Sequence, residues 1–244
     1  MCSVFDDDGY IAGEQYFGSQ RTLSTVSDGR YNYGIFELAS KFNGALNAWD
    51  VSIVTDMSSM FYAAESFNQE LNAWNASNVN NMDSMFQEAS SFNQSLNAWD
   101  VSSVTDMSSM FYAAESFNQE LNAWNASNVT DMDSMFDYAS SFNQNLNKWD
   151  VSRVTDMGRI AFGLAFNQEL NSWDVSRMTD MSSMFKGASS FNQPLNAWNV
   201  SRVTNMSSMF LYASKFNQEL NAWDVSSVTN MQVMFDRADS LIKS

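Results

Sequence analysis

Polar and apolar positions alternate in two distinct rhythms along this chain. In "DMSSMFYAAESF" the apolar residues Met57, Met60, Phe61 and Ala64 fall at i, i+3, i+4 and i+7, which predicts one buried stripe of a short helix. Thr55 and Asp56, just before it, offer side-chain oxygens to the first free N–H groups of that helix. "FNQELNAW" is extended in character, with Phe67, Gln69 and Leu71 on one side and Asn68, Glu70 and Asn72 on the other. Alternation alone leaves open which side faces the core, because glutamine and asparagine each recur. Leucine and phenylalanine argue that their side faces inward.

Both rhythms repeat. Tryptophan occurs at 49, 74, 99, 124, 149, 173, 198 and 223, always 25 residues apart except for one interval of 24. The stacked repeats read F-N-Q-x-L-N-x-W-[DN]-V-S-x-V-T-[DN]-M-x-x-M-F-x-x-A-x-x, and residues 55–79 are identical to 105–129. A period of this length predicts a solenoid in which no turn buries its apolar face without a neighbour. The expected fold class is therefore an α/β solenoid of about eight turns, each a short parallel strand plus a short helix. Residues 1–30 read as a lead-in segment and 31–244 as a single repeat solenoid. Within it, "IFELASKF" makes 31–41 a degenerate half repeat, eight repeats follow over 42–240, and a ninth begins with Leu241 in place of Phe. In the 24-residue repeat Ala161 stands where others have Phe and Leu164 where others have Ala, so volume is exchanged within the stripe.

Composition narrows the function. The chain has 28 acidic and 12 basic residues, a formal charge of −16, which disfavours nucleic acid and anionic membrane as partners. There is no histidine, so Ser–His–Asp and Cys–His catalysis and most transition-metal ligation are excluded. The single cysteine, Cys2, rules out an intrachain disulfide. The opening "MCSVFDDDGYIAG" has neither a basic n-region nor an apolar h-region, so no signal peptide is expected in it, and no apolar run is long enough for a spanning helix.

With the repeat written out, "WDVSSVTDMSSMFYAAESFNQELNAW" resembles the BspA-like leucine-rich-repeat surface proteins, in their mycoplasma-lipoprotein-type branch. The markers are W-[DN]-V-S-x-V-T-[DN]-M and M-F-x-x-A-x-x-F-N, and the match covers about residues 30–242. The resemblance implies a leucine-rich-repeat-like solenoid, placement at a cell surface or outside the cell, and adhesion or protein binding. It carries no catalytic residues.

Asn43 and Asn47 each begin an unbroken asparagine column, read as an amide ladder that bonds one turn to the next. The Asp56 and Asp50 columns exchange freely between Asp and Asn, so they need an acceptor oxygen rather than a charge, as caps and Asx turns do. Calcium could use both residues, but neither its Gly-rich nonapeptide nor an EF-hand loop is present. Methionines and phenylalanines read as core. Serine pairs such as Ser58-Ser59 are expected on an open helix face with no base beside them. The Thr55 column lacks the second threonine column that a flat ice-binding face would require.

Positions that vary between repeats are the ones packing leaves free. One column runs Ala45, Glu70, Ser95, Glu120, Asn145, Glu169, Pro194 and Glu219; the other, after V-S, includes Arg153, Arg177 and Arg202. The candidate partner-binding face is therefore Glu70, Glu120, Asn145, Glu169 and Glu219 with Arg153, Arg177 and Arg202. No enzyme activity, cofactor or metal is expected. A protein or glycan partner at a surface is the first expectation. A structural spacer or self-assembling scaffold, joined end to end through uncapped termini, is the second.

Overall fold

The computed structural model describes residues 34–161 and 165–240. Each repeat forms one rung of a solenoid, and one continuous apolar core runs from Phe36 to Met234. The expected α/β architecture is not formed. Among the described residues there is no α-helix, and the only regular pairing is a column of isolated parallel bridges, from Asp56–Asn81 through Asn205–Asn230.

The segment expected to be helical is a chain of β-turns. Met60 N–H donates to Met57 O, Tyr62 N–H to Ser59 O, and Ala64 N–H to Phe61 O. The intervening N–H groups leave the rung: those of Met57, Ser59, Phe61 and Ala63 donate to Asn81, Asp83, Met85 and Gln87 O at 2.8–2.9 Å. Successive peptide units thus point alternately within the rung and along the stack, and every N–H in the segment finds a partner. Ser58 N–H completes the set by donating to Asp56 Oδ1. The turns require positive φ at Ser59 (53°) and Ala63 (54°), where glycine or asparagine is usual, and the same occurs rung after rung.

Rung spacing explains why the helix fails. Rings of the Phe61 column stack 5.2–5.6 Å apart from rung to rung. An α-helix with side chains is about 10–12 Å across, so helices could not sit on successive rungs at that rise. Flat turns can. The predicted inward stripe survives, because Met57, Met60, Phe61 and Ala64 are all buried.

Spacing also accounts for the missing strand. Centroids are 5.8–6.4 Å apart in the Phe67 column and 6.2–6.5 Å apart in the tryptophan column. A backbone ladder needs strands about 4.8 Å apart, so along 67–74 the rungs stand too far apart for direct pairing. Asparagine spans the gap. Asn43 Oδ1 accepts from Asn68 N–H and Gln69 Nε2, and the same bridge recurs from Asn68 to Asn93 and Gln94 and from Asn93 to Asn118 and Gln119. The second column works alike where Asn47 Oδ1 accepts from Ala73 N–H. Each tryptophan from Trp74 onward donates Nε1–H to the leucine carbonyl of the rung before, as Trp124 does to Leu96 O at 2.9 Å, so its one polar atom is satisfied inside the core.

In the 24-residue repeat Ile160 and Ala161 replace Met and Phe, and a void of about 10 Å³ opens among Phe136, Phe142, Phe166 and Trp173. Its lining is apolar, and so small a space stays dry. Leu164, expected to return the lost volume, lies outside the described residues, as do the segment 1–30 and Leu241.

The ladder makes a direct prediction. Asn118 Oδ1 accepts from Asn143 N–H and Gln144 Nε2, and Asn118→Ala leaves both donors unpaired. We expect the alanine variant to lose about 1–3 kcal/mol in denaturant unfolding, while Asn118→Asp, which keeps the acceptor, loses less. Equal losses would mean that the amide does not act as an inter-rung acceptor.

Candidate functional site

The two variable columns are placed as expected in one respect: Glu70, Glu120, Asn145, Glu169 and Glu219 are exposed, and so are Arg153, Arg177 and Arg202. They form separate columns, eight residues apart along each repeat, as Glu169 and Arg177 are. The glutamates stand on the asparagine-bridged side, where Glu120 Oε2 accepts from Asn122 Nδ2.

The column after V-S is less free than variation suggests. Asn78 and Asn128 donate Nδ2–H to Ser52 and Ser102 O, and Ser103 and Ser227 donate their hydroxyls to Ser77 and Ser201 O. Arg153 Nη1 donates to Asn128 Oδ1 at 2.8 Å. A polar side chain here ties its rung to the previous one, so part of the column is structural. The neighbouring threonines behave alike: Thr130 donates both N–H and Oγ1–H to Thr105 O.

The acidic columns are Asx turns rather than helix caps, since no helix follows. Asp50 Oδ1 accepts from Ser52 N–H, Asp100 from Ser102 and Asp224 from Ser226, and these hydrogen bonds hold all three carboxyls below the usual aspartate range.

Sequence reasoning missed a third variable surface, the outward side of the turn ladder. Beside its buried methionines and phenylalanines stand two columns of aspartates, Asp56, Asp106, Asp131 and Asp156 in one, with Asn81 between the first two, and Asp83 and Asp133 in the other, with Ser108 between. Ser84 donates a hydroxyl hydrogen bond to Asp83 Oδ1, the Ser108 hydroxyl lies between Asp106 Oδ1 at 2.6 Å and Asp83 Oδ1 at 3.1 Å, and burial with repulsion from Asp106 and Asp56 still raises the pKa of Asp83. Asp131 and Asp133 are likewise raised, first by burial and then by neighbouring carboxylates. Gly158 leaves room for this cluster, because a Cβ there would stand 2.7 Å from Asp133 Oδ1.

Asp137 is the extreme case. It is 2% exposed, its Oδ1 has no hydrogen-bond partner among the described residues, and burial pushes its pKa up to about 7 against the opposing pull of Arg159. A signal for this surface is present in the sequence: M-F-x-x-A carries two variable positions per repeat, which a helical reading assigns to an open face. Among the described residues no group of three or more His, Cys, Asp or Glu side chains is arranged to hold a metal ion, and no helix is long and apolar enough to cross a membrane.

The shift at Asp137 fixes the sign of a pH effect. The folded chain binds this proton more tightly than the unfolded chain does. The stabilisation from protonation is therefore complete below the ordinary aspartate range and is lost as pH rises through about 7. Asp83, Asp131 and Asp133 act in the same direction. The melting temperature should fall between about pH 4 and pH 7, and Asp137→Asn should flatten that fall. A variant with the wild-type slope would remove Asp137 as its cause.

Comparison with known proteins adds one finding. No curated protein and no solved structure matches the chain. The family described as "Mycoplasma protein of unknown function, DUF285" matches in three tandem segments, residues 24–116, 95–162 and 146–244. The matched segments together span the repeat array, and the chain belongs to the DUF285 family.

Proposed function

We propose that the chain is a non-catalytic binding or adhesion module of the BspA-like surface kind, which presents an extended repeat face to protein or glycan partners at a cell surface or outside the cell. One observation carries this reading. The inward positions scarcely change from rung to rung, whereas certain outward columns, that of Glu70 above all, change over the same unbroken core. Repeat arrays of this type supply a long surface on which side chains can be exchanged without disturbing the stack.

Binding to a panel of immobilised extracellular-matrix proteins and surface glycans tests it. Saturable binding is expected, and the combined variant Glu70→Lys, Glu120→Lys, Glu169→Lys and Glu219→Lys should weaken it about tenfold by reversing the charge of one column. Unchanged binding would remove that column as the site.

A scaffold that assembles end to end is the second reading, favoured by the sameness of the bonds between rungs: each rung offers its neighbour the same backbone and asparagine hydrogen bonds, so a rung of one copy matches the stack of another. Sedimentation velocity over a range of concentrations should then show association, which Met231→Lys with Val233→Lys would reduce. A monomer at every concentration would end this reading.

A further inference from the structure

The outward side of the turn ladder has a composition of its own. The four consecutive segments 56–63, 81–88, 106–113 and 131–138 carry seven carboxylates (Asp56, Asp83, Glu88, Asp106, Asp131, Asp133, Asp137), three tyrosines (Tyr62, Tyr112, Tyr138) and no basic residue. They share one surface: Tyr112 feels the charges of Asp137 and Glu88 and meets Tyr138 edge-on at 5.9 Å. Asp83 feels Asp106 and Asp56. Stacking at rung spacing forces these charges together. The free chain holds them at a cost, which hydroxyl hydrogen bonds from Ser84, Ser108 and Ser134 and, at Asp133 and Asp137, the charge of Arg159 on the next rung only partly offset.

Two further observations indicate what this surface takes. The first is local. Farther along the same face the Arg237 guanidinium lies 5.5 Å from the centroid of the Tyr212 ring, so the face already seats one cation of its own on a tyrosine. Asp137 supplies the second: its carboxyl is 2% exposed and its Oδ1 has no hydrogen-bond partner among the described residues, so a cation brought to this face would favour its ionised form.

We propose that the turn-ladder face from Asp56 to Tyr138 is a docking site for a basic polypeptide segment, with arginine side chains seated on Tyr62 and Tyr112 and paired with Asp83 and Glu88. The proposal rests on the reading of the chain as a binding module and assigns that role to a second face. Charge complementarity selects this occupant over a neutral glycan, which would stack on the tyrosines but leave the carboxylates crowded. Four rungs span about 15 Å, the reach of about five extended residues.

Isothermal titration of the whole chain with a decapeptide of alternating Gly and Arg tests the proposal. Saturable binding is expected, several-fold weaker for the Gly-Lys peptide because lysine stacks less well on aromatic rings, and absent for the Gly-Glu peptide. Tyr62→Ala with Tyr112→Ala, and separately Asp83→Asn with Glu88→Gln, should each weaken binding by about five- to tenfold. The combined variant Glu70→Gln, Glu120→Gln, Glu169→Gln and Glu219→Gln removes four charges elsewhere and should stay within about twofold. Equal loss in that variant would reduce the effect to diffuse attraction and overturn the proposal. So would binding of a neutral N-acetylglucosamine hexasaccharide in place of the peptide. If the matrix-panel binding disappears in the glutamate-to-lysine variant while the arginine peptide fails to bind, the binding module stands and this face is not its docking site.

Discussion

The alternate peptide units of the turn ladder set the rise of the solenoid, and the rise sets the rest. Once Met57, Ser59, Phe61 and Ala63 bond to the rung that follows, adjacent backbones lie at hydrogen-bonding distance along that side. No helix fits such a spacing, and no side chain can pack against anything but its own counterpart and near neighbours. Like therefore stacks on like. Phenylalanines form two columns, the first interrupted at Ala161 and the second unbroken from Phe42 to Phe216, and elsewhere their rings also meet within a rung at 3.9–4.4 Å.

Away from that side the rungs stand farther apart, and the repeat meets the change with longer connectors. Asparagine reaches from a side chain to the next backbone N–H, and tryptophan reaches with its indole N–H to a carbonyl 28 residues back. The same stacking makes a column of identical aspartates costly. The chain relieves it by interposing asparagine, and Asn205 Nδ2 donating to Asp180 Oδ2 shows the relief as a hydrogen bond. Exchange of Asp for Asn thus reflects both the acceptor oxygen of an Asx turn and the dilution of charge along a stack.

Much of this is legible in the amino-acid sequence. The period, the inward residues and the inter-turn role of asparagine all follow from the spacing of Trp, Phe and Asn, because a strict period forces equivalent positions into columns. The local conformation is not legible there. Apolar residues at i, i+3, i+4 and i+7 suit a helix, but consecutive turns closed by i to i+3 hydrogen bonds place the same residues inward. The decisive property, positive φ at Ser59 and Ala63, leaves no trace in residues that seldom adopt it. The candidate site is half visible for a related reason. Variation among repeats exposes the Glu70 and Arg153 columns, but a helical reading of M-F-x-x-A hides Tyr62, Glu88 and Asp137 on a plain solvent face.

The identity of residues 55–79 with 105–129 has a consequence for how such chains change over time. Every bond between rungs joins a residue to its counterpart, or nearly so, one period away. A duplicated pair of rungs therefore meets the same neighbours above and below as the original pair. Copying whole units lengthens the array without creating an unfamiliar interface. Length is thus a quantity that recombination can adjust in steps of one rung, and each added rung brings fresh outward positions on which selection can act.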